Sequence, residues 1–160
     1  MTIAHRLSFL IAAAALLGAQ AASAEAAVLA VVVDKSNPRT DVTVDELRAL
    51  FLGRQRDWSD GTRAVPLDLP AQTAERDLFN SAVLGMDQGT LDRHWVDERV
   101  RGTGSTQPRV APIPGAVLKL AGKIRGVVGY VPLSAVDGSV KVLKVAGILP
   151  GKPGYALQGN

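Results

Sequence analysis

Val28-Leu29-Ala30-Val31-Val32-Val33 is an unbroken run of apolar, mostly β-branched residues near the front of the chain. A strand with one face in water alternates apolar and polar residues. A run that is apolar at every position reads instead as a strand covered on both faces. Such strands lie in parallel or mixed sheets under helices, so this stretch predicts an α/β domain with helices on both faces of its sheet.

Upstream of that strand, His5 and Arg6 precede an almost unbroken apolar stretch from Leu7 to Leu17, and Ala22-Ser23-Ala24 is a small-x-small cleavage site. This is the layout of a Sec-type secretory leader. Its apolar part falls short of the roughly 20 residues a membrane span needs. The 160 residues therefore divide into an expected leader over 1–24, one α/β domain over 25–146 and a Gly- and Pro-rich tail over 147–160, which reads as loosely held. The chain has no Cys, hence no disulfide and no lipid-modified cysteine. The expectation is a free periplasmic protein, not a lipoprotein, with no stable membrane insertion once the leader is removed.

Downstream, Ser36-Asn37-Pro38 marks a turn, and Thr43-x-x-Glu46 is a capping box opening a helix with Val44, Leu47, Leu50 and Phe51 on one side and Gly53 at its end. A polar loop over 54–63 holds Trp58. The segment 64–69 reads as a short strand, with Pro66 placing it near a sheet edge. Thr73 and Asp87 can cap a second and a third helix. The second buries Leu78, Phe79, Ala82 and Val83 and stops at Gly85; the third carries Leu91 and Trp95 at i, i+4. After a Gly-, Ser- and Thr-rich loop over 101–112, Pro114 suits the first turn of a fourth helix, with Val117, Leu118, Ala121 and Ile124 inward. Val127–Val131 and a half-exposed segment around Val140 and Val142 read as the last two strands, giving the order β-α-β-α-α-α-β-β.

Composition excludes several chemistries. The net charge is +3, with Lys and Arg scattered among Asp and Glu, so there is no basic stripe for nucleic acid. Beyond the leader His94 is the only His, which leaves too few ligands for a zinc site and a single candidate base for a nucleophilic Ser. The carboxylate pairs Asp57/Asp60 and Asp97/Glu98 sit in polar surface context, and Gly102-Thr-Gly-Ser-Thr106 lacks the Gly-Lys-Ser/Thr ending of a phosphate loop. No metal, cofactor or enzymatic activity is expected. The best anion candidate is the start of the second helix, where free N–H groups, the Thr73 hydroxyl and the Arg76 cation converge. Glu75 and Asp77, in the same first turn, already complement the helix dipole.

Val31-Val-Val-Asp-Lys-Ser-Asn-Pro38, Thr43-Val-Asp-Glu-Leu-Arg-Ala-Leu-Phe-Leu-Gly53, Trp58 and Ile124-Arg-Gly-Val-Val-Gly-Tyr-Val-Pro132 together resemble one lobe of the periplasmic phosphate-binding proteins of ABC transporters. The resemblance covers residues 28 to 145. It implies a single three-layer lobe of the type II periplasmic-binding-protein fold, with a mixed sheet and helices on both faces, and phosphate or another small oxyanion as ligand. In that family a Ser-Gly-Thr triplet at a helix start clasps the anion, with an Arg shortly before it. Counting back from Phe79 sets Thr73-Ala74-Glu75 at the triplet and Asp68-Leu69 at the Arg position. A carboxylate in place of a hydroxyl at about 4 Å from the anion costs about 4 kcal/mol at an effective dielectric of 20, about a thousandfold in affinity.

The function this implies is non-enzymatic: a periplasmic substrate-binding-protein-like domain with weak or degenerate oxyanion binding, or an accessory role beside an envelope or transporter protein. The expected ligand contacts are Thr73 and Arg76, completed by Ser36 and Asn37 or by a second chain. One lobe's length, without the partner lobe that normally closes over the ligand, argues against carrying tight transport-receptor binding over unchanged. The alternative is a protein-interaction module that kept the fold and lost the ligand, with Trp58 and its loop as the contact; in the family pattern Trp58 instead packs under that loop.

Overall fold

The computed structural model describes residues 27–159; the expected leader lies outside them. The 28–33 run forms β1 (Leu29–Val33), buried at every position. It is followed by β2 (Asp41–Val42), α1 (Val44–Phe51), β3 (Val65–Asp68), α2 (Ala74–Phe79) with a π-helical turn over Asn80–Leu84, α3 (Gln88–Arg101), β4 (Arg109–Val110), α4 (Pro114–Ala121), β5 (Val127–Pro132) and β6 (Lys141–Val145). The strands make one six-stranded sheet in the order β2-β6-β1-β5-β3-β4. β1 is antiparallel to both neighbours, β5 and β6, while the pairs β2/β6, β3/β5 and β3/β4 are parallel. The sheet is mixed, as the unbroken apolar run predicts.

Helices cover both faces, and two successive residues of β5 show it. Neighbouring strand residues point to opposite sides. A Cβ built on Gly129 would lie 2.5 Å from Val117 Cγ1 of α4. On the other face the Tyr130 ring stacks on Phe79 of α2, with centroids 4.0 Å apart, and sits 6.0 Å from Phe51 of α1. One face therefore packs against α4 and the other against α1 and α2. Glycine at 129 is what lets α4 approach so closely.

The helix starts are capped as their sequences imply: the Thr43 hydroxyl accepts from Glu46 N–H, the Thr73 hydroxyl from Arg76 N–H, and the Asp87 carboxylate from Thr90 N–H. Pro66 sits beside β5 one residue before β4 begins to pair at Leu67, so its missing N–H interrupts no second ladder.

Three expectations change. The two-residue strands β2 and β4 carry no apolar periodicity and were invisible to it. Ile124 follows the end of α4 and is 46% exposed, because the helix stops at Ala121 and the chain turns before the residue can face inward. The segment after Gly147 is anchored: Tyr155 and Leu157 are buried, Leu29 N–H donates to Leu157 O at 2.9 Å, and Gly159 N–H to Ala27 O at 2.7 Å. Two apolar side chains and strand-like pairing with the start of β1 hold it despite its Gly and Pro content.

Adding a methyl at position 129 must push α4 off the sheet. Gly129→Ala is expected to destabilise the protein by about 1–3 kcal/mol in urea unfolding. The double variant Gly129→Ala/Val117→Ala should be less destabilised than the sum of the two single variants, because the second change vacates the space the first one fills.

Candidate functional site

Sheet register places the four expected ligand residues. Val33 lies opposite Val128, and Val65 opposite Val127, so the end of β1 and the start of β3 share one end of the sheet. Leu29 lies opposite Pro132, which puts the start of β1 and the end of β5 at the other end, together with the end of the parallel strand β3. Ser36 and Asn37 follow β1; Thr73 and Arg76 follow β3. The two pairs are thus separated by the length of the strands, roughly 15 Å. A single site built from all four within one chain does not form, because β1 runs opposite to β3, a direction the sequence pattern does not encode.

At its own end the 34–39 turn is closed on itself. Ser36 Oγ donates to Asp34 Oδ1 at 2.5 Å, and the buried Asn37 Oδ1 accepts Arg39 N–H at 3.0 Å. These are turn-stabilising bonds.

At the other end, a pocket of about 430 Å³ is lined by Val28 and Leu29 at the start of β1, Ala74 and Glu75 of α2, Pro132 at the end of β5 and Ser134 beyond it. Among the described residues, Glu75 is the only charged one on its wall. Thr73 spends its hydroxyl locally: Oγ1 donates to Pro70 O at 2.8 Å and accepts Arg76 N–H at 3.3 Å. Gln72, just before it, takes the left-handed conformation at φ 69° to complete the tight turn.

Arg76 points into the protein and is only 3% exposed. Its Nη1 lies 2.6 Å from Asp68 Oδ2 and donates to Leu69 O at 2.7 Å. The other carboxylate oxygen, Asp68 Oδ1, accepts Leu69 N–H at 3.0 Å and the Tyr130 hydroxyl. Burial pushes the Asp68 carboxyl above its ordinary pKa, against the opposing pull of Arg76, the Tyr130 hydroxyl and the Leu69 N–H. Burial likewise pushes the Tyr130 hydroxyl up, with the neighbouring Asp68 charge adding to the shift. This cluster is what sequence reading missed. Asp68 and Arg76 flank the turn between β3 and α2, so the spacing was visible, but nothing in it says that the guanidinium folds back toward the strand.

Trp58 is 2% exposed, with the Arg39 guanidinium 4.7 Å above its ring. Arg39 is held there by Glu46 at 2.5 Å and Ser59 at 2.7 Å. The indole packs beneath its loop and offers no exposed contact. His94 lies on α3 edge-on to Trp95, and among the described residues no group of three or more His, Cys, Asp or Glu is placed to hold a metal.

A second pocket, of about 550 Å³, opens where the π-helical turn meets the start of α3. Asp77, Asn80, Met86, Asp87 and Gln88 line it.

No family model matches the chain. Among solved structures it is similar to an ABC-type phosphate transport receptor from Vibrio cholerae, with TM-score 0.68 and 20% identity over 84% of this chain and 54% of that one. It is also similar to PstS from Borrelia burgdorferi, with TM-score 0.66 and 14% identity over 84% of this chain and 55% of that one. A Clostridium perfringens chain assigned as a phosphate ABC transporter substrate-binding protein, solved with bound phosphate, matches with TM-score 0.63 and 21% identity over 77% of this chain and 46% of that one. The chain thus has the phosphate-binding-protein fold and spans about half the length of these structures.

Two expected outcomes follow from the buried groups. Arg76→Met and Asp68→Asn should each cost about 3–5 kcal/mol, since each strands a buried charge, while the double variant should cost less than the sum of the two; urea titrations of the four proteins measure this. Trp58→Ala should cost about 3–5 kcal/mol by the same measurement, as a packed indole requires.

Proposed function

We propose that this chain is a non-enzymatic periplasmic domain built on the phosphate-receptor fold, whose anion site is degenerate. It binds phosphate weakly or not at all and serves an accessory role beside an envelope or transporter protein. The observation that carries this reading is the pocket at the end of β3. Among the described residues the only charge on its wall is the Glu75 carboxylate, and the nearby cation, Arg76, is buried against Asp68 and the Leu69 carbonyl. An oxyanion there would meet a like charge and no free guanidinium. Electrostatics of this sign oppose anion capture. Thr73 remains as a weak contact at the pocket's edge; Ser36 and Asn37 contribute only if a second chain brings them there.

Export to the periplasm fits the leader-like residues 1–24. Among the described residues no helix is long and apolar enough to cross a membrane.

The alternative, a protein-interaction module that lost the ligand, is favoured by a different observation. Val96 and Val100, one turn apart on α3, and Val110 and Ile113, at and just beyond the edge strand β4, are all exposed.

Calorimetric titration with inorganic phosphate tests the reading. The expected result is no saturable heat below millimolar phosphate, and a gain of affinity in Glu75→Thr, which removes the repelling charge. Micromolar binding by the unaltered protein overturns it.

A further inference from the structure

The second pocket is the more acidic of the two. Among the described residues its wall carries two carboxylates, Asp77 and Asp87, and no cation. Asp77 has no ion-pair partner within 4 Å among the described residues, and neither does Asp87, whose neighbour Arg93 donates instead to the Thr90 hydroxyl at 3.0 Å. On the same wall Asn80 is 1% exposed. Its amide Nδ2 donates to Gln88 Oε1 at 3.1 Å, while its Oδ1 is a buried acceptor with no donor. Buried polar atoms are almost always paired, so an orphan beside a pocket marks a missing partner. That partner must donate. With two carboxylates on the same wall, a cationic donor complements the site best.

We propose that this pocket receives an alkylammonium group, either of a free amine or of a lysine side chain. Gln88 is half-buried over Asn80 and tied to the exposed Asp92 at 2.8 Å, so it is the side chain that moves to admit the ligand. The ammonium donates to Asn80 Oδ1 and sits between Asp77 and Asp87. Its three donors match three acceptors. Met86, partly buried against the core, supplies an apolar wall for the alkyl stem. The pocket has only two carboxylates, and among the described residues no group of three or more His, Cys, Asp or Glu is placed to hold a metal ion. Asn80, the first residue of the π-helical turn, faces inward, while Asp77 of α2 lies on the exposed side.

Amide NMR of the full domain tests this with three probes: n-butylammonium, 1,4-diaminobutane and an N-acetyl-lysine methylamide. Saturable shifts confined to the Asn80 and Gln88 side-chain amides and the Gly85–Gln88 backbone are expected, with no response to neutral n-butanol. Asp77→Asn, a change at an exposed residue, should weaken the fitted affinity about tenfold with the spectrum otherwise unchanged. Tighter binding of the lysine derivative identifies a protein partner; tighter binding of the diamine identifies a small amine. The proposal is overturned if no probe gives saturable shifts, if butanol acts like butylammonium, if Asp77→Asn leaves the affinity unchanged, or if Ca²⁺ gives the same shifts at lower concentration than every amine. Phosphate titration reports on the other pocket, so neither result depends on the other.

Discussion

A carboxylate and a guanidinium, both shut away from water, hold α2 against the end of β3. Asp68 terminates the strand, Arg76 sits in the first turns of the helix, and the Tyr130 hydroxyl of β5 closes the group from the sheet side. Removing two charges from water is expensive, and only the additional bonds to Leu69 and Tyr130 make the arrangement tolerable. Once it is in place, Phe79 is set over Tyr130 and under Phe51, and the aromatic layer between sheet and helices follows. The direction of α2 also follows, and with it the residues that line each of the two pockets.

The same ion pair decides the electrostatics of the surface. A cation that would otherwise face solvent at a helix start is withdrawn to neutralise an interior acid. Glu75 is left exposed to the pocket without a counter-charge. A fold shared with phosphate receptors therefore presents, at the end of the sheet where β3 leads into α2, a mildly acidic and largely apolar recess.

Much of the architecture was legible in the residues. The 28–33 run announced a strand covered on both sides, and Thr43, Thr73 and Asp87 announced three helix starts, because both signals are local: one is a period, the other a hydroxyl or carboxylate within reach of a free N–H. The site was less legible. Strand direction is a property of the whole sheet, so nothing near Ser36 or Thr73 reveals that they lie at opposite ends. Arg76 looks like an exposed cation in sequence because polarity is visible there and burial is not. Tyr155 and Leu157, sparse in a Gly- and Pro-rich stretch, give no periodicity, yet two well-placed apolar side chains suffice to dock the segment.

Among the described residues β1 is the most apolar strand, and it pairs only with β5, β6 and the segment around Leu157, none of which appears until about a hundred residues later. At synthesis rates of about 5–20 residues per second, that is a wait of about 5–20 s. For that interval a six-residue stretch without charge or proline has both edges open, which is the profile of an aggregation-prone segment. The order of elements thus makes the newborn polypeptide dependent on being kept apart from its own copies, by a holding factor or by rapid passage to another compartment. That demand comes from topology, and the finished fold retains no trace of it.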